Sequence, residues 1–486
     1  MKWTAAEKEW FAESNRREYG SAYDFFSFPS PQELAQTRHE RDRLLAALQT
    51  AGAHLAANGT KIHTAHLSPG CRHCTAGVWS CLFINTICNG RCFYCPAPQN
   101  EDGPPATNAV EFPSATSYAE YVARFRFGGA SISGGEPFLT FDRTLEYLAA
   151  VRRRLGPAVH LWLYTNGRLS TPAKLRRLAA AGLNEIRFDI GATGYHLDKV
   201  RQAIDIIPTV TVEIPAIPGH LDRLKRTAAE MARLGAHHLN LHQLRVTPHN
   251  SRHIIARGYT LLQGPRLTVL ASENTALRLM DHTLRENIPL PVNYCSFLYK
   301  DTFQTVASRR RHAATLCRLW EDITPTGLIR SLNIRGEPAV LEGLAGVLRR
   351  HSVPTDQWQL DPAEKRLNLR AAHLPLLPAG SWPLLLTYHL AAIRPTRSGD
   401  FPHQEIRFDD GRRLYVQRRP VMAEKMLRGA DIPLFSRHFA SPADTAADRC
   451  PTGDFPADLF DGTDSDGKWL EICRAEILRP GFQEYF

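Results

Sequence analysis

From Leu82 to Tyr294 the chain alternates between two hydrophobic periods. Short runs rich in β-branched and large apolar residues recur: "CLFINT", "ASIS", "HLWLYT", "NEIRFDI", "TVTVEI", "HLNLHQL" and "IPLPVNYC". Between most of them lie longer runs of helical period with their own start and stop signals. One opens at Asp142, an N-cap residue, and closes at Gly156. A second opens at Thr171-Pro172 and closes at Gly182, and a third ends at Gly235. Strand–helix alternation at a step of about 25 residues predicts a parallel sheet with right-handed crossovers. The fold class expected is α/β, a full or partial (β/α) barrel, with its chemistry at the carboxyl ends of the strands.

The flanks read differently. "SPQE", Ser30 to Glu33, is a capping box with proline at the first helical position, and Leu34, Leu44, Leu45 and Leu48 suit one helix face. A loop rich in cysteine and histidine follows, "HTAHLSPGCRHCTAGVWSC". Beyond Trp320, "GLIRSLNIRG", "KRLNLRA", "PLLLTYHLAAI" and "EIRFDDGRRLYVQ" read as strands, with a helix near "AVLEGLAGVLRRHS" and a hairpin signal at Asp409 to Gly411. Three segments are therefore expected. Residues 1–80 form a helical extension with a cysteine-rich loop. Residues 81–300 form the barrel. Residues 320–486 form an α+β domain that selects substrate.

Composition narrows the class. No apolar run reaches the roughly 20 residues of a membrane span, and "MKWTAAEKEW" lacks the apolar core of a signal peptide. The expected setting is the cytoplasm, without a membrane partner. The net charge is +10, with arginine runs at Arg152–Arg154, Arg309–Arg311 and Arg349–Arg350. Such an excess attracts nucleic acid or acidic surfaces, although solvated helix faces produce the same runs. Of ten cysteines, six fall between Cys71 and Cys95. A reducing compartment does not support a disulfide framework, so clustered cysteines point to metal or catalysis.

"CNGRCFYCP" places Cys88, Cys92 and Cys95 at C-x₃-C-x₂-C spacing. Four thiolates fill an iron–sulfur cluster; three leave one iron of a 4Fe-4S cluster open to a ligand. The triad follows the first barrel strand and carries Tyr94 before its last cysteine. It resembles the radical S-adenosylmethionine (SAM) superfamily, in the style of pyruvate formate-lyase activating enzymes and molybdenum-cofactor cyclases. "SGGEP" is similar to the family's GGEP element, and the resemblance implies that Gly134, Gly135, Glu136 and Pro137 meet SAM, the glycines letting backbone come close. It further implies SAM contacts from Tyr94, from Asn166 in "YTNG", from Asp189 in "RFDIG" and from Glu213 in "EIPAIPG".

The resemblance implies reductive cleavage of SAM to a 5′-deoxyadenosyl radical, which abstracts hydrogen from a peptide, protein, RNA or cofactor precursor. An electron donor such as flavodoxin or ferredoxin is implied with it. Two alternatives stand beside this reading: a cobalamin-dependent radical SAM methyltransferase, and a non-catalytic iron–sulfur RNA-binding protein. Cys71, Cys74 and Cys81 form a second group, in which C-x₂-C is a half-site for zinc or iron that His63, His66 or His73 could complete. Free thiols or a redox pair explain the same residues. Cys295 ends the last barrel strand and is expected to face the site mouth as a candidate catalytic thiol, donating a hydrogen atom or binding an auxiliary cluster; a buried structural cysteine explains the same residue. Lys300, Asp301 and Gln304 are candidates for substrate contact. His238 and His242 share a face and read as core or mouth residues. "DGTDSDG" reads as a turn, since its calcium register fails.

Overall fold

The computed structural model describes residues 5–57, 59–108, 110–440, 459 and 467–478. They form two compact units, one up to Gln304 and one from Thr305 onward. "DGTDSDG" (all but Gly467) and Cys450 lie outside the described residues.

The first unit is built on seven parallel strands: β1 (Trp79–Phe83), β2 (Gly129–Ser133), β3 (His160–Thr165), β4 (Glu185–Phe188), β5 (Thr209–Pro215), β6 (His238–His242) and β7 (Val292–Cys295). They are ordered in space as in sequence. At one edge Lys61–His63 runs antiparallel to β7; at the other Ala106–Thr107 runs antiparallel to β1. β1 and β7 are not neighbours, so the barrel is a partial one.

Helices pack on the outside for the reason the pattern predicts. Phe141–Leu155 buries Phe141, Thr144, Tyr147, Leu148 and Val151, one stripe at helical spacing. Its N-cap is Thr140, two residues earlier than expected, which leaves Asp142 in its first turn, and it stops at Gly156 with φ +67°. Arg152, expected as part of a basic face, is used internally. Its guanidinium donates to the carbonyls of Gly156 (2.6 Å), Val159 (3.1 Å) and Gly182 (2.6 Å).

The N-terminal segment is part of this unit, where the sequence suggested a separate extension. The Ser30 capping box forms, with Glu33 N donating to Ser30 Oγ at 3.2 Å and Ser30 N to Glu33 at 3.1 Å. The helix it starts, Pro31–Thr50, packs on Leu270–Arg285 through a buried pair, Arg41 Nε to Glu273 Oε1 at 3.1 Å. His54–Ala56 and Lys61–His63 add two strands to the sheet. The short helix Pro69–Thr75 lies against the sheet's inner face. Gly70 N donates to Glu185 Oε2 at 2.8 Å. A Cβ at Gly70 would stand 2.4 Å from the Arg187 guanidinium and 3.2 Å from Trp162, so glycine is required there.

The second unit is an antiparallel sheet of eight described strands centred on Leu384–Arg394. The helix Pro338–Arg350 buries Leu341, Leu344, Ala345 and Leu348 in its core. His403–Arg407 and Arg413–Pro420 form the hairpin signalled at Asp409–Gly411. A buried network ties the helix Lys468–Glu476 to the sheet. Arg330 donates to both Glu476 oxygens at 2.9 Å and to Asp322 at 3.0 Å, and Tyr388 donates to Glu476 at 2.7 Å.

Candidate active site

The carboxyl ends of β1 to β6 open into a cavity of about 430 Å³. Cys88, Cys92 and Cys95 all line it, as do Tyr94, Gly134, Gly135, Glu136, Asn166, Asp189 and Glu213. Residues far apart in the sequence thus share one wall system, because each follows a parallel strand. Pro137 does not line the cavity; it starts the turn Pro137–Thr140.

The two glycines of the "GGEP" element also meet a local packing demand. Their close approach is to the chain's own backbone. A Cβ at Gly135 would lie 1.9 Å from the Ile87 carbonyl oxygen, and one at Gly134 2.4 Å from that of Asn85. Gly134 also has φ +128°, which side-chain-bearing residues rarely adopt. Gly135 N donates to Asn85 at 3.1 Å, Glu136 N to Ile87 O at 2.7 Å, and Asn85 Nδ2 to Glu136 O at 3.0 Å. These bonds fix the loop that carries Cys88.

Glu136 is 1% exposed and fully engaged. Its carboxylate accepts from Phe138 N (3.0 Å), Thr165 Oγ1 (2.7 Å) and Asn166 N (2.7 Å). Burial still leaves it above the usual carboxylate range. Asn166, so placed, donates to Asn89 Oδ1 at 2.8 Å and reaches Cys88 Sγ at 3.6 Å.

Across the cavity Tyr94 Oη donates to the Asp189 carboxylate, which also accepts from Gly191 N at 3.0 Å. Burial pushes Asp189 up to about 6, against these hydrogen bonds. Arg187, which the sequence pattern did not single out, organises the interior. It donates to Glu185 (2.7 Å), Glu213 (2.7 Å), Tyr164 Oη (3.2 Å) and Ser68 Oγ (3.1 Å). Burial raises Glu213, but Arg187, Lys300, His242 and Asn240 together outweigh it and hold the carboxyl below its ordinary range. The signal was available: Glu185 and Arg187 are two apart on one strand and so share a face. His242 also lines the cavity, and burial lowers it to about 4; His238 packs instead against His66, with ring centres 5.1 Å apart.

The second cysteine group is not assembled as the spacing suggested. Cys81 turns to Ser131 on β2. His73 stacks on His160 at 5.5 Å and His63 against His54 at 4.6 Å. Among the described residues no three His, Cys, Asp or Glu side chains stand close enough to hold one ion. Cys71 accepts from Asn240 Nδ2 at 3.3 Å, and Cys74 from Gln304 Nε2 at 2.9 Å. Cys295 does not line the cavity; its sulfur is turned to Lys61, 3.0 Å away. Of the three candidates for substrate contact, Lys300 lines the cavity, whereas Asp301 and Gln304 do not.

A protein of Methanocaldococcus jannaschii, named as a candidate glycyl-radical enzyme activating enzyme, is 27% identical over 301 residues, covering 59% of this chain and 79% of the relative. Residues 82–205, the span that holds the triad and the first four strands, match the model of the Radical SAM superfamily. This chain carries a Radical SAM domain. It is an enzyme of that class, and the family implies a 4Fe-4S cluster and SAM. Solved radical SAM structures overlap in part. The methyltransferase TsrM of Kitasatospora setae, with tryptophan and a SAM analogue bound, aligns at 17% identity and TM-score 0.30, over 37% of this chain and 39% of its own. Streptococcus suis SuiB, bound to its precursor peptide SuiA, aligns at 11% identity and TM-score 0.34, over 45% and 48%. This chain thus spans less than half of either, and overlap at that level says nothing of substrate.

The donor set fits the implied cluster. A cubane takes one thiolate per iron, so its three cysteines need not converge on a single ion, and three thiols on one cavity wall leave a fourth iron for a ligand. No helix among the described residues is long and apolar enough to cross a membrane.

Proposed function

We propose that this radical SAM enzyme abstracts hydrogen from a peptide or protein substrate, as an activating enzyme does. The observation that carries the reading is the convergence of Cys88, Cys92 and Cys95 with the Gly135 backbone and Asp189 on one cavity. In this reading Cys88, Cys92 and Cys95 hold the cluster. Gly134, Gly135, Asn166, Asp189 and Glu213 receive SAM. Bound there, cluster and cofactor would supply the reductive cleavage of the sulfonium and the hydrogen abstraction that follows from it. The chain's own groups orient and exclude. Glu136 fixes the exits of β2 and β3 against each other. Tyr94 holds Asp189. Arg187 pairs with Glu213 and Glu185 and fixes both carboxylates in place.

The macromolecular substrate class is supported by the M. jannaschii relative's name. A low-potential electron donor, flavodoxin or ferredoxin in type, and a reducing cytoplasmic setting belong to the same reading. A second metal at Cys71, Cys74 and Cys81 does not, because Cys81 turns to Ser131 while Cys71 and Cys74 accept from Asn240 and Gln304.

The test is anaerobic reconstitution with iron and sulfide, followed by reduction in the presence of SAM. Deoxyadenosine and methionine in equal amounts are expected. With deuterated candidate peptide, deuterium should enter deoxyadenosine; methyl transfer without that label would favour the cobalamin-type alternative.

A further inference from the structure

Lys61 is 1% exposed, and among the described residues no carboxylate is paired with its ammonium. Nζ donates to Asn293 Oδ1 at 3.2 Å and to Cys295 Sγ at 3.0 Å, and stands 5.0 Å from the Tyr299 ring centre. A buried cation needs a counter-charge. The geometry around Cys295 supplies one. Its sulfur faces two donors, Lys61 Nζ and Asn293 Nδ2 (3.7 Å), while the nearest acceptor for a thiol proton, Asn293 Oδ1, is 4.0 Å away. That is the surrounding of an acceptor. Two more thiols complete the cluster: Asn293 Nδ2 also reaches Cys71 at 3.7 Å, and Cys74 follows on the same short helix. Arg187 and Glu213 face Cys71 from the middle strands, and Tyr299 faces Lys61 from beyond β7. Burial works against the Lys61 ammonium, but Cys295, Cys71 and Tyr299 outweigh it.

We propose that Lys61 activates Cys295 as a nucleophilic thiol, and that Cys295 is a modification site for small disulfides and soft electrophiles. Of the three clustered cysteines, Cys71 is buried, whereas Cys74 and Cys295 are partly exposed; of these two, Cys295 is the one that Lys61 meets. In the exchange the Cys295 sulfur attacks one sulfur of a small disulfide such as oxidised glutathione. A new S–S bond forms, the old one breaks, and the departing thiolate takes up the proton that Cys295 gave up. No electrons are gained or lost overall. The modified sulfur no longer balances Lys61, which is left buried beside one amide oxygen and a ring. Since Lys61–His63 pairs with β7, modification loosens that edge of the sheet. The proposal stands on this pair alone and is independent of the SAM chemistry.

The experiment uses the full chain with its cluster reconstituted, treated with oxidised glutathione or with limiting iodoacetamide at neutral pH, then digested and read by peptide mass spectrometry. Cys295 should be modified ahead of Cys71, Cys74 and Cys81, and the glutathionylated protein should melt at a lower temperature. Lys61→Met should slow alkylation of Cys295 by about tenfold or more, and Lys61→Arg should keep most of it. An unmodified Cys295 in the wild-type chain overturns the proposal, whether or not Lys61→Met folds. So does a rate unchanged by Lys61→Met.

Discussion

The hydroxyl of Tyr94 lies 2.8 and 3.0 Å from the two oxygens of Asp189, joining the cysteine loop to the exit of β4. Ninety-five positions separate them in sequence. A Cβ on Gly191 would come 2.2 Å from that hydroxyl, so the neighbouring backbone is shaped around it. Asp189→Asn keeps an acceptor for Tyr94 and removes the charge. It should lower SAM affinity by about tenfold, the scale of one charge-assisted hydrogen bond, with iron content unchanged. Calorimetry on reconstituted protein together with iron analysis checks both halves.

Gly135→Ala is expected to harm cluster assembly before it harms SAM binding. The added methyl would meet the Ile87 carbonyl at 1.9 Å, and Ile87 precedes Cys88. Backbone must shift, and the shift lands on the ligand loop. Iron and sulfide per chain after reconstitution should fall well below the wild-type value. A full complement of iron would show that the loop accommodates the methyl.

Arg330 in the second unit holds Asp322 and Glu476 while buried itself. Replacing it by Met leaves Glu476 buried with only Tyr388 as donor. Removing one partner of a buried pair typically costs about 3–5 kcal/mol. Arg330→Met should therefore shift the denaturation midpoint of the second unit, and the double variant Arg330→Met/Glu476→Leu should recover a large part of the loss.

Acid should weaken the same unit earlier than carboxylate protonation alone would. Burial, with Arg311 beside it, lowers His312 from its ordinary 6.5 to about 4, and burial with Arg418 does the same to His389. His389 Nδ1 accepts from Arg418 at 3.2 Å, which requires that nitrogen unprotonated. Below pH 6.5 the unfolded chain takes up protons that the folded one refuses. Stability contributed by these histidines is complete above that pH and is lost as the pH falls towards 4. Denaturant titrations at pH 7.5, 6 and 5 should give a falling midpoint, with a weaker fall in His389→Gln.

The strand–helix alternation was legible because each strand is short, apolar and punctuated, and spatial order follows sequence order. The cysteine triad and "GGEP" were legible as local motifs. What stayed hidden was long-range. The pairing of Lys61 with Cys295 crosses 234 positions, and no local spacing encodes it. The C-x₂-C at Cys71 and Cys74 reads as a half-site, yet the helix carrying it lies on the sheet's inner face, where Asn240 and Gln304 meet the sulfurs. Arg187 looked like one more charge in a basic chain. Only the stacking of β3, β4 and β5 shows it among Glu185, Glu213 and Tyr164.

The decisive quantity is deoxyadenosine released from SAM by anaerobically reconstituted, reduced protein, for the wild type and for Cys88→Ala, Cys92→Ala and Cys95→Ala. Steady release is expected from the wild type, and none above background from any of the three variants, each with its iron–sulfur absorbance lost or greatly reduced. Release at the wild-type rate from any one variant would contradict the cluster assignment, because three thiolates on one cavity wall are its foundation.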